Sequence, residues 1–199
     1  MLISCNVSSL VIDTLCKHAV EENASVACLY FDFAAREEQS SDAILGSVLK
    51  QVVGGLDEVP ERIVKAFRHR GRVVSCQKLA RSEIVECLKD ITTSRPTFIC
   101  IDALDEYPTR HRMELLDLLN QILEKAPGTR LFLTGRPHIR DEVEEHLAGK
   151  ATTRSIIAAS YDIVIFLRVK LKEDEMPEAM DESLEDEIIQ NIPETFSEM

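Results

Sequence analysis

Two apolar patterns alternate along the chain: helical repeats at i, i+3 and i+4, and short continuous stretches of strand length. Ser8 to Val20 predicts an amphipathic helix with Leu10, Val11, Leu15 and Val20 on its apolar side. Ser25 to Phe33 is rich in apolar, β-branched and aromatic residues and predicts a strand. Ser41 and Asp42 are cap residues for a helix carrying Ile44, Leu45, Val48, Leu49, Val52 and Val53, and Gly54-Gly55 stops it. Pro60 opens a short helix through Phe67, which Gly71 closes, and Ser82 caps another bearing Ile84, Val85, Leu88 and Ile91.

The second half repeats the alternation. Thr97 to Ile101 is continuously apolar, as suits a strand covered on both faces. A long helix follows, with Met113, Leu115, Leu116, Leu119, Ile122 and Leu123, and Pro127-Gly128 ends it. Arg130 to Thr134 predicts a third strand, Ile139 to Leu147 a helix, and Ser155 to Ala158 a short fourth strand. Ser160 or Asp162 starts a helix through Leu171, and one more helix is expected past Pro177. Strands alternating with helices imply βα units around a largely parallel sheet, so the fold class is α/β. The expected organisation is an α/β domain over 1–159 and a helical acidic segment over 160–199.

Composition narrows the function classes. The 199 residues suffice for one compact domain with a small appendage. The net charge of −12 is concentrated in the tail, because Glu173 to Met199 holds eleven acidic residues and no Lys or Arg. Neither part offers the broad basic surface that nucleic acid requires. Arg68, His69, Arg70 and Arg72 make only a small basic cluster at a helix end, where cations suit the dipole. No apolar run reaches bilayer length, so no membrane partner is expected. The six cysteines are scattered without a C-x-x-C pair, which argues against a disulfide framework or a zinc site and for a reducing, cytoplasmic setting.

Two strand ends carry the candidate chemistry. In Phe98-Ile99-Cys100-Ile101-Asp102-Ala103-Leu104-Asp105-Glu106 an apolar strand ends in a carboxylate, and two more acids follow at once. Ligands of open α/β sheets bind beyond the carboxyl ends of the strands. There Asp102 is a candidate Mg²⁺ ligand, and Asp105 and Glu106 are candidates to orient or deprotonate water. A strand leaving the core into an acidic, helix-capping turn would read the same way. In Leu131-Phe132-Leu133-Thr134-Gly135-Arg136-Pro137-His138 a second strand ends in Thr134 and Arg136. If the strands are neighbours, these two share a rim with Asp102, where an Arg can sense a phosphate or brace a loop. His138 and His146 read as surface residues without a carboxylate partner.

Taken in order, these segments resemble the NACHT family of signalling NTPases. FICIDALDE resembles its Walker B segment and LFLTGRPH its sensor 1 strand, while LYFDFAAREEQS with ILGSVLKQVV is similar to fungal NACHT and nephrocystin-3-like N-terminal domains. The resemblance implies a P-loop NTPase-like sheet that binds ATP or GTP with Mg²⁺ and switches conformation with its nucleotide. It implies Asp102 as the metal-associated residue, Asp105, Glu106 and Arg136 as catalytic, and Thr134 and Arg136 as nucleotide-binding. It also implies self-association or assembly with related NACHT proteins.

The glycine-rich G-x-x-x-x-G-K-[ST] loop is not among these residues. In the family it would lie just before the first helix, so the sheet is expected to be incomplete at its N-terminal side and hydrolysis weak or absent. Three functions follow as expectations: a nucleotide-binding switch, a non-catalytic protein-interaction module, and, with least support, a metal-dependent hydrolase of another fold.

Overall fold

A computed structural model describes residues 2–31, 40–70, 79–147, 149–156, 159–173 and 182–197. The chain divides into two compact units, 1–153 and 154–199. In the first, helix α1 (Leu2–Glu22) leads into strand β1 (Ser25–Tyr30), then α2 (Ser41–Gly54), α3 (Glu61–Arg70) and α4 (Arg81–Ser94). Strand β2 (Thr97–Asp102), α5 (Thr109–Lys125), β3 (Thr129–Leu133) and α6 (Arg140–His146) follow. The three strands are parallel in the order β1-β2-β3, with Cys28 opposite Cys100 and Cys100 opposite Phe132. This is the expected α/β class, a parallel sheet flanked by helices.

Pleating sends alternate residues to opposite faces. Ala27, Leu29, Ile99 and Ile101 join Leu45, Val48 and Val52 of α2, Leu88 of α4 and Leu115, Leu116 and Leu119 of α5 in one core. Truncating any of these buried leucines to Ala should cost about 2–5 kcal/mol. On the opposite face α1 lies over β1 and β2. Its ring contact between His18 and Phe98, 6.3 Å between centroids, anchors the C-terminal half.

Several boundaries differ from expectation for local reasons. Helix α1 buries Ser8 and Ala19, whereas Leu10 and Val20 face solvent, Val20 at 85% exposure. The cap of α2 is Ser40, whose hydroxyl accepts from the Ala43 N–H at 3.3 Å. Ser41 is buried instead and donates to Glu114 of α5 at 2.7 Å. Ala80, not Ser82, precedes α4, and the Glu83 carboxylate accepts the Ala80 N–H at 2.7 Å. Met113 is exposed on α5. Ser155 and Ile156 are irregular backbone rather than strand, while Ile157 and Ala158 lie outside the described residues. Also outside them are the Asp32–Gln39 part of the first resemblance segment, Gly71, Arg72 and the side chains of Arg68, His69 and Arg70.

The outer edge of β1 is blocked at Cys28 by a side chain. Gln51 of α2 accepts the Cys28 N–H at 2.8 Å and donates to the Cys28 carbonyl at 2.9 Å, imitating one step of a neighbouring strand. Among the described residues the outer edge of β3 pairs with no strand. The second unit comprises α7 (Ser160–Lys172) packed on α8 (Glu182–Ser197). No helix among the described residues is long and apolar enough to cross a membrane.

Candidate functional site

Asp102 ends β2 and is 8% exposed. Two hydroxyls hold its Oδ1: Ser8 of α1 donates at 2.5 Å and Thr134, just past β3, donates at 2.5 Å. Among the described residues no donor reaches Oδ2. The same Thr134 oxygen accepts the Ala103 N–H at 3.1 Å. Beyond the strand ends the two chains remain zipped, Thr134 N–H to Ile101 O and Leu104 N–H to Thr134 O, each 2.9 Å. Ala103 is forced to a φ of 55°, a left-handed conformation that costs a non-glycine residue about 1–2 kcal/mol. That bend turns the chain out of the sheet into a 3-10 turn, Leu104–Glu106. These five hydrogen bonds, three through the Ser8 and Thr134 hydroxyls and two between main chains, hold the bend in place.

Asp105 is brought to Arg136. Its Oδ1 accepts the Arg136 N–H at 3.2 Å, and its Oδ2 lies 3.4 Å from the Arg136 Nε. The Asp105 side chain is 7% exposed and that of Arg136 65%, so the cation reaches out from a buried anchor. Gly135 makes the approach possible: a Cβ there would sit 2.6 Å from Ile139 Cδ1 and 3.4 Å from Asp105 Oδ1. Asp105, Glu106, Tyr107, Pro108, Thr109, Arg112 and His138 line an open cleft of ≈ 320 Å³. The structure thus pairs Asp102 with Thr134 and Asp105 with Arg136, and sets Glu106 on the cleft wall. Among the described residues no three His, Cys, Asp or Glu side chains converge to hold a metal.

No sequence motif marks the residue that secures this loop. Arg112 of α5 is buried, and its guanidinium forks onto Glu142 of α6, with Nε and Nη2 each 2.7 Å from a carboxylate oxygen. Its Nη1 donates to the Tyr107 carbonyl at 2.9 Å and the Asp105 carbonyl at 3.4 Å. One cation therefore joins α5, α6 and the acidic turn. Tyr107 in turn stacks on Phe31 with ring centroids 4.4 Å apart, and burial raises its phenol above the ordinary tyrosine range. The only early signal for Arg112 was its place on a helix whose neighbours Leu115, Leu116 and Leu119 face inward. His138 sits in a 3-10 turn on the cleft rather than on the α6 face, and His146 is not partnerless: its Nδ1 lies 2.7 Å from Asp117.

The model of the family described as nephrocystin 3, N-terminal, matches residues 6–136. The chain belongs to that family. The matched nephrocystin 3 N-terminal segment contains Ser8, Asp102, Asp105, Glu106, Arg112, Thr134 and, as its last residue, Arg136. Glu142 and the second unit lie beyond it. No curated protein matches the chain. Among solved structures, the Walker-type ATPase PABY2304 of Pyrococcus abyssi is similar at 14% identity and a TM-score of 0.41. The similarity covers 85% of this chain and 53% of that one, so the chain spans about half its length.

Proposed function

We propose that this nephrocystin 3 N-terminal domain is a cytoplasmic nucleotide-binding switch of NACHT type, taking ATP or GTP with Mg²⁺, with weak or no hydrolysis. The observation that carries the reading is the carboxylate of Asp102, held at a parallel strand end by Ser8 and Thr134 through one oxygen only. The donor set fits a hard cation: a carboxylate oxygen and hydroxyls, with too few protein ligands for a closed cage. That matches Mg²⁺ bound by one carboxylate together with phosphate oxygens and water. When bound, the ion would neutralise phosphate charge.

The remaining roles belong to the chain. Thr134 orients Asp102 and ties it to the turn at Ala103, so a shift of one strand end is transmitted to the other. Arg136, anchored on Asp105 and exposed beyond it, is suited to meet a terminal phosphate. Release of Arg136 to such a phosphate would free Asp105, which is a local switch of partners. Glu106 on the cleft wall is the acid placed to orient water.

Calorimetric titration with ATP and GTP, with and without Mg²⁺, tests the reading. Binding should require Mg²⁺ and fall by at least about tenfold in Asp102→Asn, equivalent to about 1.4 kcal/mol, while the fold survives because the amide oxygen still accepts both hydroxyls. A well-folded sample that binds neither nucleotide at millimolar concentration would sink the proposal.

A second reading, a non-catalytic interaction module that associates with itself or with NACHT relatives, is favoured by the open outer edge of β3. It expects concentration-dependent association in sedimentation experiments. A folded chain that stays monomeric and captures no related domain removes it.

A further inference from the structure

The face of the sheet under α1 carries a thiol cluster that the nucleotide reading does not use. Cys28 in β1 and Cys100 in β2 are register partners on adjacent parallel strands, so their side chains leave the same face side by side. Cys100 is buried, Cys28 is half-buried, and Cys16 of α1 is exposed above them. The Cys28 and Cys100 thiols hydrogen-bond to each other, and Cys16 is near enough to interact electrostatically with both. Neighbouring strands lie about 4.8 Å apart. That spacing falls within the Cα separation of about 4.4–6.8 Å that a disulfide spans.

We propose that Cys28 and Cys100 form a reversible dithiol–disulfide site, with Cys28 the attacking sulfur and a small disulfide such as oxidised glutathione the oxidant. Cys28 is the sulfur an oxidant reaches first, because it is half-buried while Cys100 beside it is fully enclosed. The Cys28 thiolate attacks one sulfur of the oxidant, forming a mixed disulfide and releasing a glutathione thiolate. Cys100 then loses its proton to solvent, attacks the Cys28 sulfur and expels the second glutathione thiolate. Two thiols of the protein become one disulfide, and one small disulfide becomes two small thiols. The bridge would lock β1 to β2 two residues before Asp102, the residue that faces Tyr30 in the register.

The test uses the full folded chain, reduced and then exposed to oxidised glutathione, quenched in acid, alkylated and mapped by mass spectrometry. The expected product is a linked pair of peptides carrying Cys28 and Cys100, absent in Cys28→Ser and retained in Cys16→Ser. In the unmutated chain, iodoacetamide should label Cys28 at least about tenfold faster than Cys87, which is buried on α4 and raised by that burial. Cys16 linked to either strand cysteine, glutathione left unresolved on Cys28, or Cys28 labelling no faster than Cys87 overturns the proposal. The labelling comparison needs no variant, so a poorly folding substitution does not decide the matter.

Discussion

Removing the Arg112 side chain is the sharpest mechanical test of the acidic turn. The guanidinium is buried and gives two 2.7 Å bonds to Glu142 and one of 2.9 Å to the Tyr107 carbonyl. Arg112→Ala leaves that carbonyl unsatisfied inside the core, which costs about 1–3 kcal/mol by itself. It also strips the partner from Glu142, whose side chain is 19% exposed. Breaking a buried pair costs about 3–5 kcal/mol, and the partial solvation of Glu142 places this one near the low end, about 3 kcal/mol. Arg112→Lys keeps the charge but loses the fork, so it should fall between wild type and Ala. Arg112→Met combined with Glu142→Leu removes both charges and should cost less than Arg112→Met alone. Urea unfolding followed by far-ultraviolet circular dichroism reads these differences, with tyrosine emission as second probe because the chain has no tryptophan. Arg112→Ala within about 0.5 kcal/mol of wild type would refute the argument. So would a double variant as costly as the two singles added.

Gly135→Ala should destabilise by about 1–3 kcal/mol, because the new methyl group meets the buried Ile139 at 2.6 Å, and thermal melts should show it. Its Asp105–Arg136 contact should loosen as well, which weakened Mg²⁺-nucleotide binding would report. Ser41→Ala tests the acid side of stability. The Ser41 hydroxyl, then Arg81, lower the Glu114 carboxyl below its ordinary range, so their stabilisation is present above about pH 4.3 and lost as pH falls through the folded value. With Glu114 partly exposed, the gap between wild type and Ser41→Ala should be about 1 kcal/mol at neutral pH and narrow below pH ~4. A gap that widens in acid would contradict that sign. Gln51→Leu should cost about 1–2 kcal/mol and speed amide exchange at Cys28, whose N–H loses its acceptor. Unchanged exchange there would mean that water serves as well.

The strands were legible because burial on both faces writes a continuous apolar run, as in Phe98 to Ile101. Their order, β1-β2-β3, is set by pairing between distant segments, which the runs themselves do not record. Helix ends were less legible: Ser40, Ser41 and Asp42 all have capping side chains, and only the extended backbone at Ser40 selects among them. Ser41 was spoken for by Glu114, 73 residues away, and no local pattern records such a pairing. Ser155 and Ile156 carry strand-like letters but, among the described residues, pair in no sheet, and a strand exists only through such pairing. At the site, Asp102 and Thr134 were visible as polar ends of apolar runs. Arg112 was not, because a helical Arg looks the same whether it faces water or a buried carboxylate.

The amide of Gln51 has one more effect on what this sheet can become. It travels with α2 and occupies the outward-facing groups of Cys28 like a doorstop, so a new strand cannot pair with β1 at that residue. Among the described residues β3 keeps the other edge of the sheet without a strand partner. Strand β3 runs straight into Thr134, Gly135 and Arg136. If a strand added beside β3 moves that turn, occupancy of the edge and of the proposed nucleotide site each change the other's affinity by the same factor.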